Sequence, residues 1–320
     1  MTILLFGMPL NLQALRVFAA VAERGGFSRA AAVLHLSQPA VSKAVLGLER
    51  EVGLPLLERG AGGVRLTDAG AALYRRAREL FAVERTAEEE VRALRGLEAG
   101  VLRVGASTTV ATYYLPPLLG AFRDAHAGVQ LRIVSANTRA VARLLLQRRL
   151  DVALVEGPVA DPGVLAEPWR EDDLVVLAPP GHALARAAGP VAPAALGEHP
   201  FIARERGSGT RAVAEAALAA CGVRPRVALT LGSTEAVKEA VAAGLGLAVV
   251  SRAAAADQLA LGRVRAVRVA GLDIRRPLTR LRLEGRRPGA PAVAFEALLA
   301  AEATARGPDA AVGGRRPPTG

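Results

Sequence analysis

The stretch LHLSQPAVSKAVLGLE, residues 34–49, decides how the amino-terminal end of this chain is read. Ser37 can cap a helix, and Pro39 falls inside its first turn, where a missing N–H costs nothing. Val41, Val45, Leu48 and Val52 then recur by fours and threes, a ladder that faces a core. Gln38, Ser42 and Lys43 point the other way. With one lysine in the stretch, charge alone does not say whether that outer face meets DNA or water. The surroundings must decide.

Upstream, NLQALRVFAAVAER (11–24) sets Leu12, Leu15, Phe18, Ala19 and Ala22 on one helical face and stops at Gly25 and Gly26. Ser28 is positioned to cap a second helix, RAAAVLHL. A short helix, a tight turn and a capped helix with a small polar outer face make helix-turn-helix geometry, in which the second helix enters the major groove. Gln38 is then placed to read a base edge, with Ser42 and Lys43 positioned for bases or phosphates. Downstream, LLERGAGGVRLT reads as two short extended pieces about a Gly-rich turn, a wing flanked by Arg59 and Arg65. The plain alternative is a helical bundle with no nucleic-acid role.

The 320 residues allow two or three units with cores of their own. Cys221 is the single cysteine, so no intramolecular disulfide forms, and its expected role is a small buried hydrophobe. The opening MTILLFGMPL has no basic leader and is too short to span a bilayer. It reads as a disordered extension, or as an upstream start with Met8 the beginning. No later run reaches 18 apolar residues without a charge, and a soluble, cytoplasmic protein is expected. The net charge of +11 is uneven: +2 in residues 1–70, +1 in 71–96, +1 in 97–249 and +7 in 250–320. The excess lies far from the helix-turn-helix, so total charge argues little for DNA.

Four stretches separate along the chain: 8–68, a long helix over 69–98, 99–302, and a tail over 303–320 too rich in Gly, Pro and Ala to pack. The long helix spaces Leu73, Ala77, Leu80, Ala87, Val91 and Leu94 by threes and fours, interrupted by Glu84. It reads as a short coiled coil that pairs two copies, the alternative being a helix packed on its own domain. Between 101 and 300, apolar strands (101–106, 129–135, 151–157, 174–179, 200–204, 226–232, 246–251) alternate with helices (109–126, 138–149, 210–221, 234–243). This predicts α/β architecture with parallel sheets covered on both faces. Two series imply two lobes, about 99–169 with 270–302 and about 170–269. The crossover falls near 169–174, and the strand 278–284 and helix 291–302 return to the first lobe.

Four strand ends run into Ser/Thr-rich helix starts: GASTTV with Ser107, Thr108 and Thr109; SANTRA with Asn137 and Thr138; ERGSGTR with Ser208, Gly209, Thr210 and Arg211; and LGSTEAV with Ser233 and Thr234. Helix N-termini with hydroxyls bind anions, and ligands of open α/β sheets sit beyond the carboxyl ends of strands. Each start alone is explained by plain capping. Four together, with Gly207 and Gly209 allowing close approach, point to one interlobe site for a small anion. Glu156 ends the third strand, where it is placed to take an amine or hydroxyl instead. No catalytic signature stands beside this: GSG is not a GxSxG nucleophile elbow, since no glycine stands two residues before Ser208. His35, His126, His182 and His199 lack metal spacing and read as surface or turn residues. No phosphate-binding loop or dinucleotide fingerprint occurs, and no cofactor or metal is expected.

The amino-terminal pattern LQALRVFAAVAERGGFSRAAAVLHLSQPAVSKAVLGLEREVGLPLLER…VRLTDAG resembles the LysR-type transcriptional regulators, and the similarity runs from Asn11 to about Glu302. It implies a winged helix-turn-helix, a dimerising linker helix and a two-lobe, periplasmic-binding-protein-like effector domain with Rossmann-like sheets. It further implies a homotetramer that bends promoter DNA and contacts RNA polymerase. DNA-facing positions of the family fall here on Ser37, Gln38, Pro39, Ser42 and Lys43, with Arg29 and Arg65 as backbone contacts. GSGTR and GSTEAVKEAVAAGLGLAVVS are similar to the regulators of carbon fixation and cysteine biosynthesis, which implies an anionic effector. Two departures stand out: Leu46 and Gly47, and Ala61 to Gly63 in the wing, occupy positions commonly basic in the family. The alternatives are a solute-binding module without a DNA role and a two-lobe enzyme acting on an anion.

Overall fold

Capping residues and glycines punctuate the amino-terminal unit in the computed structural model, which describes residues 10–60, 63–93 and 100–306. Asn11 caps α1 (Leu12–Arg24) by accepting from the Ala14 N–H at 3.0 Å, and Gly25 ends it at φ +65°. The chain re-enters a helix at once, so α2 (Phe27–Leu34) starts from Gly26 without a side-chain cap. Ser28, expected as that cap, therefore sits inside the first turn. Ser37 does cap α3 (Gln38–Val52). Val41, Val45 and Leu48 are buried against Leu15, Phe18 and Val21 of α1.

The wing is the hairpin β1 (Leu57–Gly60) and β2 (Gly63–Leu66), antiparallel with Glu58 opposite Arg65. Glu49 ties it to α3: its Oε1 accepts from the Leu56 and Leu57 N–H groups at 2.8 and 3.2 Å. α4 (Asp68–Ala93) follows. A Cβ on Gly70 would lie 1.9 Å from the Leu56 carbonyl oxygen, so only glycine lets this helix start against the loop. Two positions expected in a self-pairing stripe are used locally instead. Ala77 is buried in this unit's core and Leu73 packs beside it, with Tyr74 and Phe81. Leu80, Val83, Ala87 and Val91 stay exposed on the later turns, while Leu94 lies outside the described residues.

The two units divide between Glu88 and Glu89. In the second, β3 (Gly100–Ser107) pairs in parallel with β4 (Val129–Ala136) and β5 (Val152–Glu156). α5 (Leu115–Ala125) and α6 (Thr138–Leu146) cover opposite faces of that sheet. A π-helical turn, Val110–Tyr114, precedes α5. Pro116 and Pro117 have no N–H to donate to a preceding turn, and the Leu115 N–H reaches back to the Val110 carbonyl.

The long strand β6 (Val164–Ala178) carries the chain into the second lobe. There α7 (Ala183–Arg186), β7 (Pro200–Arg204), α8 (Gly209–Ala220), β8 (Arg226–Leu231), α9 (Thr234–Ala242), β9 (Ala248–Ser251), α10 (Arg252–Ala260) and β10 (Arg265–Val267) follow. β11 (Ile274–Leu283) returns, and α11 (Ala290–Arg306) packs Phe295 and Leu299 into the first lobe's core.

The expectation of parallel sheets holds for β3–β4–β5 and for β7–β8 only. β6 and β11 run antiparallel to each other through both lobes, and β9 and β10 join β6 antiparallel, giving one seven-stranded sheet. The first half of β6, VLAEPWREDD, hides from a strand reading because charges and Pro168 break its alternation. The pairing shifts there: Thr279 faces Pro168 and Leu278 faces Arg170, leaving Trp169 as the extra residue of a bulge. Two expectations need correction. The helix α11 continues to Arg306, so residues 303–306 are helical and not tail. Cys221 is half-buried at the end of α8, with its Sγ 3.9 Å from the Gly271 carbonyl oxygen, because the chain turns outward there.

Candidate nucleic-acid interface and effector site

On α3 the buried ladder forces the opposite face outward. Ser37, Gln38, Pro39 and Lys43 are exposed and Ser42 is half-buried. Gln38 and Ser42 lie one helical turn apart, a spacing that suits adjacent base edges. Arg65 is exposed on β2, with Glu58 directly across the hairpin. Arg29 is exposed, and its guanidinium donates to the Gly25 carbonyl at 2.7 Å, so one nitrogen closes the turn between α1 and α2. The side chain of Arg59, together with Ala61 and Gly62 at the wing tip, lies outside the described residues.

The second constellation gathers between the two lobes. Glu156, 1% exposed, is its centre. Ser107 donates to its carboxylate, Thr210 donates to Oε1 at 3.3 Å, and Thr138 donates to its main-chain oxygen at 2.8 Å. Burial pushes the Glu156 carboxyl upward, while the guanidinium groups of Arg276 and Arg204 pull it down. Arg204 bridges the lobes, donating from Nη2 to Thr108 at 2.9 Å and from Nη1 to Thr234 at 2.8 Å. Asn137, Ser208 and Ser233 cap α6, α8 and α9, accepting from the N–H groups of Ala140, Arg211 and Ala236. Thr109 is buried. Gly209 allows the contact between lobes: a Cβ there would sit 1.7 Å from the Glu156 carbonyl oxygen. Six of the expected residues are thus drawn together, Ser107, Thr138 and Thr210 on Glu156 and Thr108 and Thr234 on Arg204, while Ser208 is used as a helix cap.

Arg211 is not drawn to the cluster. Its guanidinium lies along α8 on Glu215 (2.7 Å) and the Arg204 carbonyl (3.0 Å).

Several participants escape a sequence reading. Asp172 of β6 and Arg276 of β11 form an ion pair at 2.6 Å with both side chains 1% exposed. Asp172 also accepts from the Tyr114 hydroxyl at 2.6 Å and Ser251 at 2.7 Å, and Arg276 donates to Thr210 at 2.9 Å. Burial and the charge of Asp172 hold the Tyr114 phenol well above its ordinary pKa. Lys238, 3% exposed, donates to Tyr113 at 3.0 Å and to the Ala254 carbonyl at 2.5 Å. The sequence signal is present but indirect: REDDL in one segment and DIRRPL in another are complementary only once paired side by side.

Much of the carboxy-terminal arginine excess is absorbed in the same way. Arg286 pairs with Asp151, Arg280 and Arg282 with Glu167, and Arg263 with Glu239. Arg280 and Arg282 hold Glu167 below the usual carboxylate range. His182 caps α7 and stacks edge-on against His199 at 4.4 Å, and His126 ends α5. Among the described residues no group of His, Cys, Asp and Glu could hold a metal ion, and no helix is long and apolar enough to cross a membrane.

Residues 12–71 match the model of the bacterial regulatory helix-turn-helix protein, lysR family, and residues 95–304 match the LysR substrate binding domain. A RuBisCO operon transcriptional regulator from Allochromatium vinosum is 38% identical over 296 residues, which span 92% of this chain and 97% of the relative. A full-length OxyR variant from Pseudomonas aeruginosa superposes with a TM-score of 0.69 at 25% identity, covering 92% of this chain and 94% of the other. The regulatory domain of CcmR from Synechocystis PCC6803, in complex with 2-PG, gives 0.59 at 29% identity over 63% of this chain and 97% of the domain.

Proposed function

This chain belongs to the LysR family of DNA-binding transcriptional regulators, and we propose that a small hydroxylated anion between the lobes of its effector domain controls it. The family is one of regulators and not of enzymes, which sets aside the enzymatic alternative. The observation that carries the proposal is the convergence of Thr108, Thr234 and the Arg204 guanidinium beside Glu156. The Arg204 guanidinium, which pairs here with Glu205 at 2.8 Å and exchanges that partner for the ligand, and the α9 N-terminus take the anion. Glu156, an acceptor when ionised, rejects a second negative group at its own position and takes a hydroxyl instead. The 2-PG bound by the Synechocystis relative is an anion of this size class and supports the reading.

On the DNA side, Gln38, Ser42 and Lys43 read the major groove, with Ser37, Pro39, Arg29, Arg59 and Arg65 fixing the backbone. The exposed face of α4 joins two copies, two such dimers form a tetramer that works in the cytoplasm, and the DNA-bound assembly contacts RNA polymerase. Occupation of the cleft changes lobe packing and, through the tetramer, the spacing of the two DNA-binding dimers.

The test has two arms. Fluorescence anisotropy with the DNA upstream of the chain's own gene should show binding that Gln38→Ala weakens at least tenfold. Calorimetric screening of small carboxylates, phosphates and sulfates should yield a ligand whose affinity falls at least tenfold in Thr108→Val. Tight binding of uncharged aromatics alone would sink the anionic reading.

A further inference from the structure

Glu84 stands where the spacing of α4 calls for an apolar residue, and the structure gives it a use within the amino-terminal unit. Both of its carboxylate oxygens accept from Nη2 of Arg16 on α1, each at 2.8 Å, across 68 residues of sequence. The same guanidinium lies over the ring of Phe81, one turn before Glu84, with its carbon 4.6 Å from the ring centroid. Phe81 packs with Leu73 and Ala77 on the core of this unit. One arginine of α1 is thus held by an aromatic ring and a carboxylate of α4. Around Glu84, Leu80, Val83 and Ala87 stay exposed. The interruption of the stripe is therefore a contact made inward, to its own unit.

An ion pair whose side chains are 44% and 39% exposed adds little to stability. What it fixes is direction. Leu73, Ala77 and Phe81 hold α4 by apolar contact, which is non-directional and lets a helix roll on its bed. A charge-assisted hydrogen bond is short and directional and resists that roll. Arg16 belongs to α1, whose Leu15 and Phe18 pack with Val41, Val45 and Leu48 of α3, so the joint is coupled to the helix that faces DNA. We propose that Arg16 and Glu84 are positioning residues for operator recognition. Their pair, backed by Phe81, sets the angle between α4 and the helix-turn-helix, and with it the spacing of the two recognition helices in a dimer. The inference rests on the reading that α3 meets the major groove and that the exposed face of α4 joins two copies. Half-sites one turn apart put each recognition helix ~17 Å from the dimer axis. A roll of ~10° at the joint then displaces it by ~3 Å, close to the rise of one base pair.

Fluorescence anisotropy of the full-length chain with the DNA upstream of its own gene tests this. The site is bounded by footprinting, and one or about five base pairs (half a helical turn) are inserted at its centre. A fragment carrying a single half-site is the reference. Wild type should lose at least about fivefold in affinity for the one-pair insertion and at least about tenfold for the half turn. In Glu84→Ala, Arg16→Met and the double variant, the one-pair loss should shrink to about twofold or less, equally in all three because one pair is removed. The half-turn loss, single half-site affinity and melting temperature should stay near wild type. Variants that keep the one-pair loss overturn the inference, as do variants that weaken on the single half-site as much as on the full site, the mark of a merely structural role. Wild type that accepts one extra pair without loss but rejects the half turn also overturns it and leaves the underlying reading standing. Wild type indifferent to the half turn removes the reading of paired recognition helices, and the inference with it.

Discussion

Replacing Arg276 by methionine tests whether β6 and β11 are held together by the ion pair they bury. In the native chain Asp172 accepts four hydrogen bonds: from Arg276 Nε at 2.8 Å and Nη2 at 2.6 Å, from Tyr114 at 2.6 Å, and from Ser251 at 2.7 Å. Methionine fills much of the guanidinium's volume but leaves a carboxylate 1% exposed without its counter-charge. Breaking a buried pair this way costs about 3–5 kcal/mol, since the remaining charge stays desolvated. Removing both charges, in Asp172→Asn/Arg276→Met, should cost less than Arg276→Met alone, because no orphan charge remains. Urea unfolding followed by Trp169 reads this directly: it is the chain's single tryptophan, it is buried in the first lobe's core, and it lies on β6 close to Asp172. A loss below about 1 kcal/mol for Arg276→Met, or strict additivity of the two single changes, would refute the reasoning.

Three further outcomes follow from other parts of the chain. Glu156 has a higher pKa folded than unfolded, so the folded state holds the proton more tightly, and stability falls as pH rises from about 4.3 through the raised value. Glu156→Gln should therefore gain melting temperature over the parent at pH 8 and gain less at pH 4.5, by scanning fluorimetry; a pH-independent difference would remove Glu156 from the account. Leu46 is 49% exposed and a Cβ on Gly47 meets nothing within 4 Å, so Leu46→Arg/Gly47→Lys fits without repacking. Each phosphate that the new side chains neutralise should steepen the slope of log affinity against log salt by about 0.9. Val83 and Val91 are 66% and 61% exposed on α4, and if that face joins two copies Val83→Glu/Val91→Glu should convert tetramers to dimers held by the remaining interface, read by light scattering. A tetramer that survives the change assigns the seam elsewhere.

The helix-turn-helix is legible because its signals are local. A cap, a proline in a first turn and a ladder of valines each act within a few residues, and α3 spans what they mark. The lobes are legible for the same reason wherever an apolar strand meets a capped helix: Asn137, Ser208 and Ser233 each cap the helix expected of them. What stays hidden is non-local. Asp172 and Arg276 are 104 residues apart, and neither segment shows that its charge will be buried until β6 lies against β11. Arg204 escapes notice because one arginine after an apolar strand looks like an ordinary strand end. Leu73 and Ala77 carry helical spacing that fits either a partner helix or a domain core, and only the packing of α1 against them decides.

The meeting of Gly157 and Gly209 bears on what any effector can do. Two main chains touch there with no side chain between them: a Cβ on Gly157 would sit 2.7 Å from the Gly209 Cα. The lobes are at a mechanical stop, since backbone cannot compress and nothing softer separates them. The direction of response is constrained accordingly. A ligand can latch this end-point or prise it open, but no ligand can drive the jaws further shut along that line.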